Sequence, residues 1–193
     1  RSALESLTRY YAVHLGAQGI RCNCVLVGGT IIKPENEDYF MKNNDVLYVS
    51  EHRGSYSNKD ELPDFISDGL DIILFPISIT RFEAQKAKIE LEKQGYKIGI
   101  ANIVWIKPFT IKKEWEKAII SSKFGGIVLD DDYSQGVATN LAYEMMKKTK
   151  KKIDVMGLKN KSAGFSKMTD NLPPNYLDIT EKVKELVKTN KKL

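Results

Sequence analysis

From residue 71 onward, short apolar segments alternate with charged segments of helical spacing, and no other feature limits the possible folds as much. The apolar segments are rich in isoleucine and valine, which is typical of strands buried on both faces. Because a helix follows each strand, successive strands can run parallel with helices packed on the sheet. The sequence therefore predicts an α/β fold with three layers, in which a mainly parallel sheet has helices on both faces. The predicted strands are 71–77, 96–105, 126–129 and 153–156, and the predicted helices are 79–95, 110–121, 137–148 and 179–186.

The residues before this alternation predict a smaller segment and a linker. Residues 1–53 have the pattern helix, strand, helix, strand, so they predict a partial α/β segment ahead of the domain. The stretch 54–68 is polar and contains glycine, serine, asparagine and proline, which is typical of a linker. We therefore place the main domain at 69–193.

The net charge of +5 arises in the last quarter of the chain. Residues 147–193 contain 13 lysines and 5 acidic residues, a balance that can attract nucleic acid, a membrane surface or an acidic partner protein. The lysines at 147–152 fall at a predicted helix end, where they complement the helix dipole. Because no arginine or aromatic residue is interleaved with them, nucleic-acid binding is not expected. No apolar run approaches the roughly 20 residues of a membrane span, so no membrane association is expected either.

The two cysteines favour a reducing compartment. Cys22 and Cys24 lie one residue apart in a predicted strand, so their side chains point to opposite faces and a disulfide between them is not expected. A metal site at this pair would need further ligands, and only His14 and His52 are available. We interpret the cysteines as buried structural thiols and expect a cytoplasmic protein.

Acidic and polar residues follow the predicted strand at 126–129. Asp130, Asp131 and Asp132 could bind a hard cation, because carboxylate oxygens suit magnesium or calcium. Alternatively they form a solvated loop near a helix N-terminus. Ser134 and Gln135 precede the next helix, whose free N–H groups could hold a phosphate or a carboxylate, although the neighbouring aspartates would repel it.

Glu51, His52 and Arg53 form a second candidate set at the end of a predicted strand. His52 could act as an acid or a base. The simpler interpretation, which we favour, is a polar strand end packed against the linker. The sequence therefore assigns no catalytic, cofactor-binding or metal-binding residue, and both sets are candidates for loop or interface contacts only.

Several motifs follow one another in a fixed order through most of the chain. They are 46–53 (VLYVSEHR), 68–74 (DGLDIIL), 95–98 (GYKI), 106–109 (IKPF) and 127–132 (IVLDDD) followed by a glycine. Their order and spacing resemble the end of the pyrimidine-binding domain and the C-terminal domain of 2-oxoacid (pyruvate) dehydrogenase beta subunits and transketolases. The resemblance covers about residues 45–187 and is independent of the periodicity argument above.

The first residues also resemble a different family. The motifs 3–9 (ALESLTR), 12–16 (AVHLG) and 19–25 (GIRCNCV) are similar to the region of short-chain dehydrogenases that follows the catalytic Tyr-x-x-x-Lys. Arg1 stands where that lysine would lie, and Val27 and Gly28 replace the family's Pro-Gly pair. The same segment also fits the helix, strand, helix, strand order that precedes Glu-His-Arg in the beta subunits, and both interpretations stay open.

The resemblance to transketolases and beta subunits implies an enzyme that uses thiamine diphosphate and magnesium. In those families a Gly-Asp-Gly…Asn motif holds the diphosphate and the metal, and a glutamate of the pyrimidine domain activates the cofactor. This sequence contains no Gly-Asp-Gly. The expected role is therefore a C-terminal, subunit-assembly portion that is not catalytic alone and works in a homodimer or with an α/β-type partner subunit.

Two alternatives remain at this point. One is a fragment of an NAD(P)-dependent short-chain dehydrogenase fused to a transketolase-type domain, which depends on residues 1–29. The other is a non-catalytic binding module that retains the fold. Since fold likeness does not establish function, the sequence alone does not decide among them.

Overall fold

The chain divides into two compact units, Arg1–Asp60 and Glu61–Leu193. The computed structural model describes residues 10–11, 14, 24–25, 48–49, 62–67, 69–162 and 170–190. In the first unit, residues 10, 11 and 14 are helical, and strand β1 (Cys24–Val25) pairs in parallel with strand β2 (Tyr48–Val49). The other described elements belong to the second unit.

A five-stranded sheet forms the centre of the second unit. Its strands are β3 (Phe65–Ser67), β4 (Ile72–Pro76), β5 (Ile98–Ala101), β6 (Gly126–Tyr133) and β7 (Ile153–Leu158). They lie in the order β3-β5-β4-β6-β7, so β4 occupies the middle. Strands β4 to β7 are parallel to one another, and the edge strand β3 runs antiparallel to β5. The prediction of a mainly parallel sheet is therefore confirmed.

Among the described residues of this unit, four helices cover the two faces of the sheet. They are α1 (Thr80–Lys93), α2 (Lys113–Ser121), α3 (Val137–Thr149) and α4 (Tyr176–Asn190). One hydrophobic cluster joins the sheet to α1 and α4, and a second joins its other face to α2 and α3. The predicted three-layer arrangement is thus confirmed.

The central strand shows why the apolar segments form this sheet. All five residues of β4 are buried. Ile72 and Leu74 pack in the cluster of α1 and α4, whereas Ile73 and Phe75 pack in the cluster of α2 and α3. Because successive side chains of a strand point to opposite faces, only a continuous apolar run satisfies both faces.

Helix α1 ends in a Schellman motif. The N–H of Tyr96 donates to the carbonyl of Leu91 (3.2 Å), and the N–H of Gly95 donates to that of Glu92 (3.0 Å). Gly95 has a φ of 85°, a left-handed conformation that favours glycine. This geometry ends the helix and turns the chain into β5.

Several parts of the second unit differ from the sequence-based interpretation: the strand predicted at 96–105 ends at Ala101, and the helix predicted at 110–121 begins at Lys113. Phe65–Ser67, which lies inside the stretch 54–68 assigned to the linker, forms the edge strand β3. Strand β6 does not stop at Leu129 but continues to Tyr133. The interpretation of Asp130 as part of a solvated loop is therefore wrong, because this residue lies within a strand of the sheet interior.

Candidate functional site

The acidic residues lie at the carboxyl end of the parallel sheet, which is the usual ligand-binding edge of α/β folds. Strand β6 carries Asp130 and Asp132 and ends at Tyr133, and helix α3 begins at Val137. The register of the β6–β7 pairing shifts between Leu129 and Tyr133. Such a bulge redirects side chains locally, so the three aspartates have different environments.

Asp130 is a buried carboxylate, with 4% of its surface exposed. Burial raises its pKa to about 6, and the charges of Asp131 and Asp132 act in the same direction. The backbone N–H of Asp132, which donates to Oδ1 of Asp130 (3.2 Å), opposes this increase only in part. A buried carboxyl that titrates near neutral pH is a candidate for a proton-transfer or binding role.

The next two aspartates face outward. Asp131 is half-buried and Asp132 is exposed. Oδ1 of Asp132 accepts the N–H of Tyr133 (2.7 Å), and the Tyr133 hydroxyl donates to the carbonyl of Lys161 (3.2 Å). Two of the three carboxylates therefore accept hydrogen bonds from the chain itself, and they do not converge on a common point.

Ser134 and Gln135 form the turn between β6 and α3. Ser134 is half-buried, Gln135 is exposed, and Gly136 stands at the N-cap of α3 without a side-chain cap. The carbonyl of Ser134 accepts the hydroxyl of Thr139. The structure thus brings Ser134 and Gln135 next to the aspartates, and anion binding at this helix end stays a prediction.

A buried threonine that the sequence analysis did not single out connects β4 and β6 at this edge. The hydroxyl of Thr80 donates to the carbonyl of Ile77 (2.6 Å), lies 3.1 Å from that of Leu129, and accepts the N–H of Ile77 (3.1 Å). Thr80 is fully buried. Its hydroxyl therefore holds the start of α1 against the middle of β6, just before Asp130.

We expect Thr80→Val to lower the free energy of unfolding by about 1–2 kcal/mol, because it removes a buried hydroxyl with several hydrogen-bond partners while keeping the shape of the side chain. Urea denaturation followed by circular dichroism measures this loss. The matched control is Thr110→Val at an exposed position, where we expect the free energy of unfolding to change by about 0.5 kcal/mol or less. Equal effects of the two substitutions would contradict the structural role of Thr80.

Two buried polar groups near this edge were also missed. Asn102 follows β5, and its Nδ2 donates to the backbone carbonyl of Pro63 (2.5 Å). Its backbone N–H donates to the backbone carbonyl of Asp64 (2.6 Å). Within the described part of the chain, Oδ1 of Asn102 and Nε1 of Trp115 have no hydrogen-bond partner. In the sequence, an asparagine within the mainly apolar segment 96–105 could have indicated a buried polar group at this position.

An apolar strip is exposed directly after β5. It consists of Val104, Trp105 and Ile106, which are 44%, 36% and 38% exposed, and we call it the 104–106 strip. Lys107 and Pro108 continue it and are also exposed. Single exposed apolar side chains are common on protein surfaces, but three consecutive large ones indicate an interaction surface.

The remaining predicted site residues lie outside the part of the chain that the structure describes. Glu51, His52 and Arg53 lie outside the described residues, as do most of the residues 1–29 that resemble short-chain dehydrogenases. Among the residues that the structure does describe, no group of three His, Cys, Asp or Glu side chains could hold a metal ion. None of the described helices is long and apolar enough to cross a membrane.

Comparison with known proteins gives weak sequence similarity and clearer similarity of fold. No protein-family model matches the chain. The beta subunit of the pyruvate dehydrogenase E1 component from Gracilaria tenuistipitata var. liui is 25% identical over 118 residues, covering 55% of this chain. This chain spans 35% of that relative's own length.

Among solved structures, an inactive β4 tetramer of a split-gene transketolase matches 68% of this chain with a TM-score of 0.52 and 13% identity, and the match covers 44% of the transketolase chain. A 2-oxoglutarate:ferredoxin oxidoreductase from Magnetococcus marinus matches 80% of this chain and 24% of its own, with a TM-score of 0.48 and 16% identity.

The sequence match and the fold match agree with the order of motifs between residues 45 and 187. The mainly parallel sheet and the two helical layers are also those expected from the periodicity of the sequence. The resemblance inferred from the sequence is therefore confirmed: the chain contains an α/β domain similar to the C-terminal domain of transketolases and pyruvate dehydrogenase beta subunits.

Proposed function

We propose that this chain is the C-terminal, subunit-assembly portion of a thiamine-diphosphate-dependent enzyme of the transketolase or 2-oxoacid dehydrogenase beta type. The 104–106 strip carries the proposal, because it exposes three consecutive large apolar side chains at the carboxyl edge of the sheet. Because each of these side chains is 36–44% exposed, covering one of them contributes about 1 kcal/mol to an association, less than the roughly 1.5–3 kcal/mol of full burial. A surface of this kind is expected to be covered by another subunit.

The names of the two similar proteins support the same role. One is described as a subunit of an enzyme component and the other as a tetramer of beta chains. We infer that this chain likewise works with another subunit, either as a homodimer or with an α/β-type partner. A cytoplasmic location belongs to the same proposal.

The described residues do not fit magnesium and a diphosphate. Asp130 and Asp132 accept hydrogen bonds from backbone N–H groups of their own turn, and no described set of acidic residues converges on one point. A diphosphate at the start of α3 would also face the charge of Asp131 and Asp132, which repels an anion. We therefore derive no catalytic step through this cofactor and assign its binding to other parts of the complete enzyme.

A pair of double variants tests the assembly role in the full chain. The strip variant combines Val104→Ser and Ile106→Ser and makes the 104–106 strip more polar. The helix variant is the control: it combines Ile89→Ser and Ile120→Ser, which change side chains on two helices that are 57% and 51% exposed. Analytical ultracentrifugation over a range of micromolar concentrations measures self-association.

We expect the wild-type chain and the helix variant to form a dimer and the strip variant to dissociate, with a dissociation constant raised at least about tenfold because two apolar side chains per subunit are lost from the interface. The dehydrogenase alternative makes no such prediction for this strip. A wild-type chain that stays monomeric throughout would argue against a homodimer. If the strip variant and the helix variant dimerise equally well, the strip is not the assembly surface.

A further inference from the structure

We propose that five lysines at the amino edge of the sheet, the end opposite the carboxyl edge, form a docking surface for an acidic peptide segment of a partner protein. The five residues are Lys97, Lys123, Lys150, Lys151 and Lys152, and we call them the amino-edge lysine cluster. This surface is separate from the 104–106 strip, and the inference does not depend on the proposed assembly role.

The fold brings these lysines together from distant parts of the sequence. Lys97 precedes β5, Lys123 precedes β6, and the other three precede β7. Together with Asp71 at the start of β4 they line the amino ends of four neighbouring strands. At about 4.8 Å per strand the cluster spans roughly 15 Å, a distance that an extended segment of about five residues covers.

Two members of the cluster have structural roles. Nζ of Lys123 lies 2.9 Å from Oδ1 of Asp71, and Nζ of Lys151 donates to the carbonyl of Ser122 at the end of α2 (2.9 Å). Burial acts to raise the pKa of Asp71, but Lys123 and the N–H of Lys97 together hold it below its usual value. These contacts explain why Lys123 and Lys151 are present, and they leave the other three lysines to be explained.

The remaining lysines give the edge an excess of positive charge. The side chain of Lys152 is 63% exposed and forms a long ion pair with Asp154 (3.4 Å). Lys97 and Lys150 are exposed, and no carboxylate among the described residues forms a salt bridge with either of them. The five ammonium groups face the carboxylates of Asp71 and Asp154, and the charge of Lys97 also acts on Asp71. The remaining excess of positive charge creates a local potential that attracts an anionic ligand.

Lys150 provides an independent observation. It ends α3 with a φ of 59°, a left-handed conformation that is usual for glycine and unfavourable for a lysine. Glycine at this position would relieve this strain. Positions where a sequence departs from the locally best residue are often functional, so the lysine is explained by its charge.

The surroundings favour an acidic peptide over nucleic acid or a lipid surface. The two aromatic neighbours of the cluster, Tyr96 and Phe124, pack against the core cluster of α1 and α4 and offer no stacking platform for bases. Lysine also lacks the planar fork with which arginine contacts phosphate and base edges. Leu70, 46% exposed, lies beside Lys123, whose N–H donates to its carbonyl (2.9 Å). A peptide with acidic residues around one apolar side chain matches this arrangement.

The proposal is tested by measuring the affinity of the full chain for a labelled peptide with glutamates around one central leucine. Fluorescence anisotropy gives this affinity at about 50 mM and at about 200 mM NaCl. The test variant combines Lys97→Gln, Lys150→Gly and Lys152→Gln. The control combines Lys113→Gln, Lys117→Gln and Lys188→Gln, which removes the same charge from exposed positions on α2 and α4. A duplex DNA and phosphatidylserine vesicles serve as competing probes.

We expect the test variant to bind the peptide about tenfold more weakly at low salt, because three ammonium groups that pair with the glutamates are lost and each exposed pair contributes modestly. The control should bind like the wild type. The test variant should also unfold at a urea concentration no lower than the wild type, since Lys150→Gly removes strain, so weaker binding would not reflect lost folding. Equal weakening in both variants, no peptide binding by the wild type, or tighter binding to DNA or vesicles than to the peptide would each overturn the proposal.

Discussion

Replacing Gly125 by alanine is expected to lower the free energy of unfolding by about 3–5 kcal/mol, the sum of left-handed strain and a backbone clash. Gly125 has a φ of 75°, and a Cβ there would lie 1.8 Å from the carbonyl oxygen of Lys152. The same carbonyl accepts the N–H of Gly126 (3.1 Å), while Gly125 itself accepts the N–H of Ile73 (3.1 Å). Moving this backbone would therefore disturb the start of both pairings of β6.

Gly95→Ala is the matched control for this substitution. Gly95 also has a positive φ, 85°, but nothing lies within 4 Å of a Cβ built on it. Its replacement should therefore cost only the conformational strain of about 1–2 kcal/mol. Urea denaturation of both variants separates strain from crowding. Equal losses would mean that the chain around Lys152 relaxes without cost, contrary to the tight approach of β6 and β7.

Asp130→Asn is expected to stabilise the protein at neutral pH by about 2–3 kcal/mol, in keeping with a pKa difference of about two units. The pKa of Asp130 is about 6 in the folded protein against 3.8 for the free side chain. Between these values the folded state binds more protons than the unfolded state, so the free energy of unfolding falls as the pH rises from about 4 to about 6. Above that range the penalty of a buried charge is fully present, and asparagine removes it.

The measurement is the free energy of unfolding of wild type and variant from pH 4 to pH 8. We expect the difference in the free energy of unfolding between variant and wild type to be small near pH 4 and to reach its full value near pH 7. Asp131→Asn removes one charge at the adjacent, half-buried position and should change stability by about 0.5 kcal/mol or less. If Asp130→Asn instead destabilises the protein at pH 7, the ionised carboxylate is held by favourable contacts. A stabilising result would mark Asp130 as a residue retained for function at a cost in stability.

The main elements could be predicted because their determinants are local. Residues 72–77 are all apolar, so a strand buried on both faces was the consistent interpretation, and β4 is buried throughout. Gly95 marked the end of α1 because a left-handed residue there favours glycine. The motifs 68–74 and 106–109 were also sufficient to indicate the family likeness.

The environment of the acidic set was not predictable in this way. Three consecutive aspartates normally indicate an exposed turn, but β6 continues through them and Asp130 is buried. The cause lies in a neighbouring strand: β7 approaches so closely at Gly157 that a Cβ there would lie 2.5 Å from the carbonyl oxygen of Asp132. Such an approach depends on the register of two strands that are separated in the sequence, and no local pattern encodes it.

The sequence by itself thus determined the class of fold and the order of the main strands and helices along the chain, because hydrophobic periodicity and turn residues act over a few positions. The order of its motifs also indicated the similarity to transketolases and pyruvate dehydrogenase beta subunits. Only the tertiary structure decided which side chains meet. It placed Phe65–Ser67 as an antiparallel edge strand, Thr80 against Leu129, and Lys97 on the same edge as Lys152. These contacts follow from the spatial order β3-β5-β4-β6-β7, which arises from long-range pairing and not from any single segment.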